Sequence, residues 1–134
     1  HLLDPSAASV GELVGNKIRR VPALLTVQSG EPLRNALALI EQHDISQIPV
    51  LKGREVIGTL EENEVLKAAL SDPRAMEIPV DRWMTRPQPL VQSDEHVDTI
   101  TRLLAKEPAV LVQRDGDIVG ILTRYDMLQF IAGA

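Results

Sequence analysis

Near the end of this chain a hydroxyl and a carboxylate stand three residues apart, in the run Gly120-Ile121-Leu122-Thr123-Arg124-Tyr125-Asp126. The run reads as a strand end passing into the first turn of a helix. Positions i and i+3 share one side of such a turn, so Thr123 and Asp126 can face a common space beside the N–H groups that a helix start leaves open. An aspartate there can accept both hydroxyl protons of a ribose diol, as the acid of a dinucleotide-binding fold does, while Thr123 caps the helix or touches the ligand. The plainer alternative is that Asp126 only suits the positive end of the helix. Other chemistry is sparse. No nucleophile with a base, metal cluster or glycine-rich phosphate loop is present, so no catalytic residue is assigned and the chain is read as non-enzymatic. The absence of cysteine removes disulfides and thiolate metal sites, and His1, His43 and His96 are scattered rather than set at ligand spacing.

Charge and composition narrow the partner. A net charge of −5 with only Trp83, Tyr125 and Phe130 as aromatics argues against nucleic acid, which asks for a basic stripe and stacking rings. No apolar run reaches membrane-spanning length and nothing at the start reads as a secretory signal, so a cytoplasmic location is expected. His1 in place of methionine reads as the start of an excised fragment or a tag remnant. Lys17, Arg19 and Arg20 read as a solvated basic face, with Arg19 or Arg20 able to meet a carboxylate or phosphate. Tyr125 and Phe130 suit a domain or dimer surface better than a stacked base. His43 and His96 fall at expected helix ends, where a surface or capping role is the default.

The elements that position Thr123 and Asp126 occur twice. Val27-Gln28-Ser29 returns as Val91-Gln92-Ser93, and Ile57-Gly58 returns as Val119-Gly120 after a two-residue deletion between helix and strand. A half that cannot bury its own apolar face must pair with its copy, and 134 residues suffice for one such pair. In the first copy the β-rich run Leu25-Thr26-Val27 ends at Ser29, a predicted N-cap, and a helix beginning near Gly30 carries Leu33, Ala36, Leu37 and Ile40 toward a core before ending near His43. Two β runs, Ile48 to Leu51 and Glu55 to Leu60, join across Lys52-Gly53-Arg54 as a hairpin. Helical character returns over 61–70 with Val65, Leu66 and Ala69 apolar, and Asp72-Pro73 stops it. The second copy repeats this with Leu90-Val91, a Ser93-capped helix bearing Val97, Ile100, Leu103 and Leu104, the Asp115-Gly116 hairpin turn, and a last helix with Met127, Leu128 and Ile131. Each half is predicted β-α-β-β-α. Pro73, Pro79, Pro87 and Pro89 prevent one regular element over 71–89, which reads as a linker pinned by Trp83 and Met84.

With its Thr-x-x-Asp turn, its duplicated order and the strand Ile45-Ser46-Gln47-Ile48-Pro49-Val50, the chain resembles a tandem pair of CBS domains, the Bateman module, over nearly its whole length. Within that family it is most similar to the C-terminal regulatory region of cystathionine β-synthase, where the first repeat also has Gln-x-Pro-Val and only the second keeps Thr-x-x-Asp. The resemblance implies an α/β (α+β) fold of two β-α-β-β-α repeats packed as a pseudo-twofold pair. Residues 1–70 hold a leading segment and the first repeat, 71–89 the linker and 90–134 the second repeat. It further implies an adenosyl-ligand site in a cleft between the repeats. Ile45, Ser46, Gln47 and Ile48 would line the adenine side, and Ile121, Thr123, Tyr125 and Asp126 would complete it, with Asp126 on the ribose. Ser46 and Gln47 could equally bond neighbouring backbone before the strand. S-adenosylmethionine is the ligand implied by the cystathionine β-synthase likeness, and AMP, ADP or ATP by CBS pairs at large.

The first copy departs from the pattern, with Glu61 and Glu64 where threonine and aspartate belong and Glu62 between them. Three carboxylates would repel a phosphate, and Pro108-Ala109-Val110-Leu111 replaces Ser46 and Gln47 with apolar residues, so this cleft is expected to be empty or to bind far more weakly and the stoichiometry to be one ligand per chain. Two function classes follow. One is a regulatory sensor controlling a catalytic domain in cis or a partner enzyme; the other is a dimerisation module with a vestigial site. A homodimer is expected from the resemblance. Ligand should raise the melting temperature, and Asp126→Ala should abolish most of that shift while hardly moving the apo protein.

Overall fold

Two three-stranded sheets carry the chain, each assembled in the same order and register. The computed structural model describes residues 24–133; His1, Lys17, Arg19, Arg20 and the rest of the leading segment through residue 23 lie outside the described residues, as does Ala134. The chain divides into a unit spanning Leu25–Pro87 and another from Gln88 onward.

The first unit runs β1 (Val27–Gln28), α1 (Leu33–His43), β2 (Gln47–Lys52), β3 (Glu55–Glu61) and α2 (Glu62–Ser71), then two 3-10 turns, Pro73–Glu77 and Val80–Arg82. The second runs β4 (Leu90–Gln92), α3 (Val97–Leu104), β5 (Ala109–Arg114), β6 (Asp117–Thr123) and α4 (Arg124–Gly133). In each sheet the central strand pairs parallel with the first and antiparallel with the third. The duplication persists at the level of register: Val27 faces Val50 as Val91 faces Val112, and Val50 faces Gly58 as Val112 faces Gly120. Both hairpins slip by one residue at the same place, between Val50 and Leu51 and between Val112 and Gln113. Such a bulge bends the strand that carries it.

The turns form for local reasons. Gly53, at φ 65°, joins β2 to β3, and Asp115 and Gly116, at φ 51° and 83°, give the paired left-handed residues of a two-residue hairpin turn. Helical spacing likewise decides the cores. Leu33, Ala36 and Ile40 of α1 meet Val27, Ile48, Val50, Leu60, Val65 and Ala68, while Val97, Ile100 and Leu104 of α3 meet Val91, Val110, Val112, Leu122 and Met127. Each fully buried Leu or Ile among them contributes roughly 1.5–3 kcal/mol relative to exposure.

The expected serine caps are not found. Gly30, at φ 92°, and the extended Pro32 delay α1 to Leu33, whose N–H donates to Ile78 O at 3.0 Å, and the Ser29 hydroxyl donates to Asp81 instead. In the second unit α3 starts at Val97 under His96, whose ring Nδ1 accepts from Asp98 N at 3.2 Å. Ser93 Oγ there accepts from Arg114 Nε at 3.3 Å. The open N–H of Leu33 thus found a partner from a distant segment, which a reading of local capping residues does not reveal.

That distant segment is the proline-rich stretch after α2. Ala75 and Val80 from its two 3-10 turns are 3 % and 0 % exposed within the first core, and Trp83 and Met84 pack on the same core. Pro79 bridges Pro32 and Thr85 bridges Thr59, with Thr59 N to Thr85 O at 3.1 Å and Thr85 N to Thr59 O at 2.8 Å. Asp81 holds the turn before α1, accepting from the Ser29 hydroxyl and from Gly30 N. The Ser29 hydroxyl, then the Gly30 N–H, keep the Asp81 carboxyl below the usual carboxylate range. Close approach of this strap explains Gly58: a Cβ there would stand 2.6 Å from Met84 Sδ and 2.9 Å from Thr85 O. No helix among the described residues is long and apolar enough to cross a membrane.

Candidate functional site

Thr123 ends β6 and the next residue opens α4, so its amide, hydroxyl and carbonyl stand at a helix start. Thr123 N donates to Asp126 Oδ2 at 2.9 Å, Thr123 Oγ1 to the same oxygen at 3.1 Å, and Asp126 N to Thr123 Oγ1 at 3.2 Å. This is a reciprocal capping box built from threonine and aspartate. It orients the carboxylate before any ligand arrives, and both residues are half-buried. Because the box also caps α4, Asp126→Ala must weaken the apo protein by about 1 kcal/mol. The expectation of an unmoved apo protein is corrected accordingly.

The other predicted residues of the second unit lie close along the chain to this box. Ile121 is half-buried in β6 opposite Leu111, Thr123 pairs with Ala109, and the Tyr125 side chain is 66 % exposed. Arg124, not among the predicted residues, ties the turn to the preceding helix by donating from Nε to Leu104 O, a carbonyl that the end of α3 leaves open. Only the general need of a helix end for a donor could have signalled it.

In the first unit, Ile45 to Ile48 lead from the left-handed Asp44, at φ 50°, into β2. Ser46 is exposed and Gln47 half-buried, whereas Ile45 packs on the core and Ile48 is fully buried in it. Ile48, 0 % exposed and paired with Leu60, therefore offers no surface to a ligand, and its expected place on the adenine side is corrected: its side chain is taken up by the core. Ser46 and Gln47 lie beside their own copy's strand-to-helix turn: Gln47 faces Glu61 across the hairpin, and Glu62 N donates to Ser46 O at 2.9 Å. That bond uses the Ser46 carbonyl and not its hydroxyl, so it is distinct from the side-chain bonding weighed for Ser46 and Gln47. The turn itself has no box. Glu61 precedes α2 without any side-chain cap, and Glu62 and Glu64 occupy the first helical turn. The two predicted groups, Ile45 to Ile48 and Ile121 to Asp126, fall in separate units. Among the described residues no group of three histidine or acidic side chains could hold a metal ion.

A family model for the CBS domain matches the chain twice, over residues 11–71 and 77–133. Among solved structures, a protein from Vibrio cholerae described as serving acetoin utilization (AcuB) superposes with a TM-score of 0.77 at 19 % identity, covering 95 % of this chain and 92 % of that one. A protein from Burkholderia ambifaria described as a signal-transduction protein with CBS domains gives 0.77 at 18 %, covering 94 % and 95 %. A CBS-domain containing protein from Agrobacterium tumefaciens gives 0.71 at 20 %, covering 92 % and 93 %. At these identities the likeness speaks for the fold.

Proposed function

The chain belongs to the CBS domain family as a tandem pair, and from that premise we propose that it binds one adenosyl ligand and thereby regulates a catalytic domain in cis or a partner enzyme. CBS pairs are generally regulatory modules rather than catalysts. The observation that carries the ligand reading is the Thr123–Asp126 box. Helix α2 begins with no side-chain cap, so the fold does not demand a box at this turn, yet the second copy keeps one made of a hydroxyl and an aspartate. A carboxylate already held by two bonds to Oδ2 loses little freedom on meeting a ribose diol, which is how preorganisation improves affinity. Ser46, exposed, and Gln47, half-buried, are the residues of this proposal for the adenine side of an adenosyl ligand. S-adenosylmethionine as the natural ligand, and a cystathionine β-synthase-like domain as the one governed, are its finer part and rest on the Gln47-Ile48-Pro49-Val50 and Thr123-Arg124-Tyr125-Asp126 runs.

Regulation requires the ligand to bind one state of the module better than another. Calorimetric titration with adenosine, S-adenosylmethionine, AMP and ATP tests the reading. Binding at one site per chain is expected, and Asp126→Asn, which retains an oxygen to accept from Thr123, should weaken adenosine roughly tenfold or more through loss of a charged acceptor. Unchanged affinity in that variant would remove Asp126 from the site.

A second reading, assembly through apolar helical faces, has its own observation. Leu66 and Leu70 on α2 are 53 % and 79 % exposed, and Leu128 and Ile131 on α4 are 64 % and 52 % exposed. Each pair falls at helical spacing on one side of its helix. Such stripes suit a homodimer, and both roles can coexist in one module.

A further inference from the structure

We infer that residues 84–87, the tip of the proline-rich strap, form a hinge that lifts off β3 while the rest of the strap stays docked, with the Thr59 hydroxyl setting how readily it lifts. The body of the strap is anchored at several points. Ala75 and Val80 are buried in the first core, Leu33 N donates to Ile78 O at 3.0 Å, Val80 N donates to Glu31 O at 2.8 Å, and Asp81 accepts from the Ser29 hydroxyl and from Gly30 N. The tip meets β3 in one isolated bridge, Thr59 with Thr85. That bridge cannot grow into a ladder. Antiparallel hydrogen-bonded pairs recur at every second residue, but Trp83 N already donates to Val80 O at 3.0 Å, and Pro87 has no N–H to give. Thr85, Arg86 and Pro87 are exposed.

Beneath the bridge lies a group that favours release. Thr59 is 2 % exposed, and its Oγ1 has no hydrogen-bond partner among the described residues; the Thr85 hydroxyl donates to Thr59 O at 3.3 Å instead. Directly opposed strand residues put their side chains on one face, so lifting Thr85 opens the Thr59 hydroxyl to water. A buried hydroxyl without a partner carries a desolvation penalty, and hydration of the opened site removes it. The equivalent position of the second copy is Ile121, whose side chain has no polar group to hydrate. The place of the tip in the chain gives the hinge its consequence. Residue 87 ends the first unit, and Pro89 just beyond it is tied to β5, its carbonyl accepting from Leu111 N at 2.8 Å. With the tip docked, Thr85 sets the direction in which the chain leaves the first unit; with it lifted, the torsions around Thr85 and Arg86 can change, as those of hinge residues do. Two exit directions are the kind of alternative that a regulatory ligand can bias, although the hinge itself needs none.

Amide hydrogen exchange of the full chain, followed by NMR without ligand, tests this. In wild type the Thr59 and Thr85 amides should share one opening equilibrium, roughly tenfold or more larger than that of the Leu33 and Val80 amides. Thr59→Val, which removes the hydroxyl at nearly constant volume, should reduce the opening at Thr85 roughly tenfold relative to Val80, whereas Thr59→Ser should not. Gly58→Ala should enlarge it severalfold, because the added Cβ would stand 2.6 Å from Met84 Sδ and 2.9 Å from Thr85 O. Thr85 exchanging no faster than Val80 in wild type, which is measured without any variant, or an opening unmoved by Thr59→Val, would overturn the inference.

Discussion

Two aspartates, Asp126 and Asp81, each bind a turn by accepting from a hydroxyl and an amide, yet only one was readable in advance. Asp126 was legible because its partner Thr123 is three residues away, and local spacing predicts that contact. Asp81 was not, because Ser29 and Gly30 lie far from it in sequence and meet it only when the strap docks. Its bonds also have a measurable consequence. A carboxyl whose folded-state pKa is lowered stabilises the fold above its unfolded-state pKa, and that contribution disappears as pH falls through the folded-state value. Asp81→Ala should therefore be less stable than wild type in urea at neutral pH, and the difference should shrink as pH drops below about 4. A gap that stays constant from neutral to strongly acidic pH would mean that the ionised form of Asp81 is not what matters.

Between elements, the hairpins and helical stripes followed from local chemistry, whereas the helix starts and the fate of the proline-rich stretch did not. Gly53, Asp115 and Gly116 mark turns because readiness for positive φ is a local property of glycine and, to a lesser degree, aspartate. Ser29 and Ser93 were good capping residues by type, but a cap is one option among several for an open N–H, and Ile78 O or the His96 ring took the role instead. Residues 73–85 form neither a long helix nor a loose connection; they become a strap laid on β3, bonded at Thr59 and leaving no room for a Cβ at Gly58. Gly58→Ala should cost about 1–3 kcal/mol of stability, since the added methyl meets both the flexible Met84 side chain and the backbone oxygen of Thr85. Adding Met84→Ala should restore only the part due to the side chain. Wild-type stability in Gly58→Ala by chemical denaturation would show that the strap is easily displaced.

For the molecule as a whole, the exposed stripes on α2 and α4 belong with the assembly reading. If they join copies of this chain, Leu70→Glu together with Leu128→Glu should convert a dimer to a monomer in sedimentation equilibrium, with little loss of stability because neither side chain is in a core. A wild-type protein that sediments as a monomer at high concentration would exclude this use of the stripes. The duplicated β-α-β-β-α order, the hairpin turns, the core-facing residues of α1 and α3 and the Thr123–Asp126 turn were determined by sequence alone, because each depends on residue type and on spacings of a few residues; on α2 and α4 the apolar Leu66, Leu128 and Ile131 proved exposed, and Ala68 took a core place instead. Tertiary structure decided the docking of the strap on the first core, the replacement of the serine caps, the burial of Ile48 and the placement of Glu61 and Glu62 against Gln47 and Ser46. Those outcomes depend on which groups far apart in the chain compete for the same N–H, the same carbonyl or the same apolar surface, and that competition is resolved only when the chain has folded.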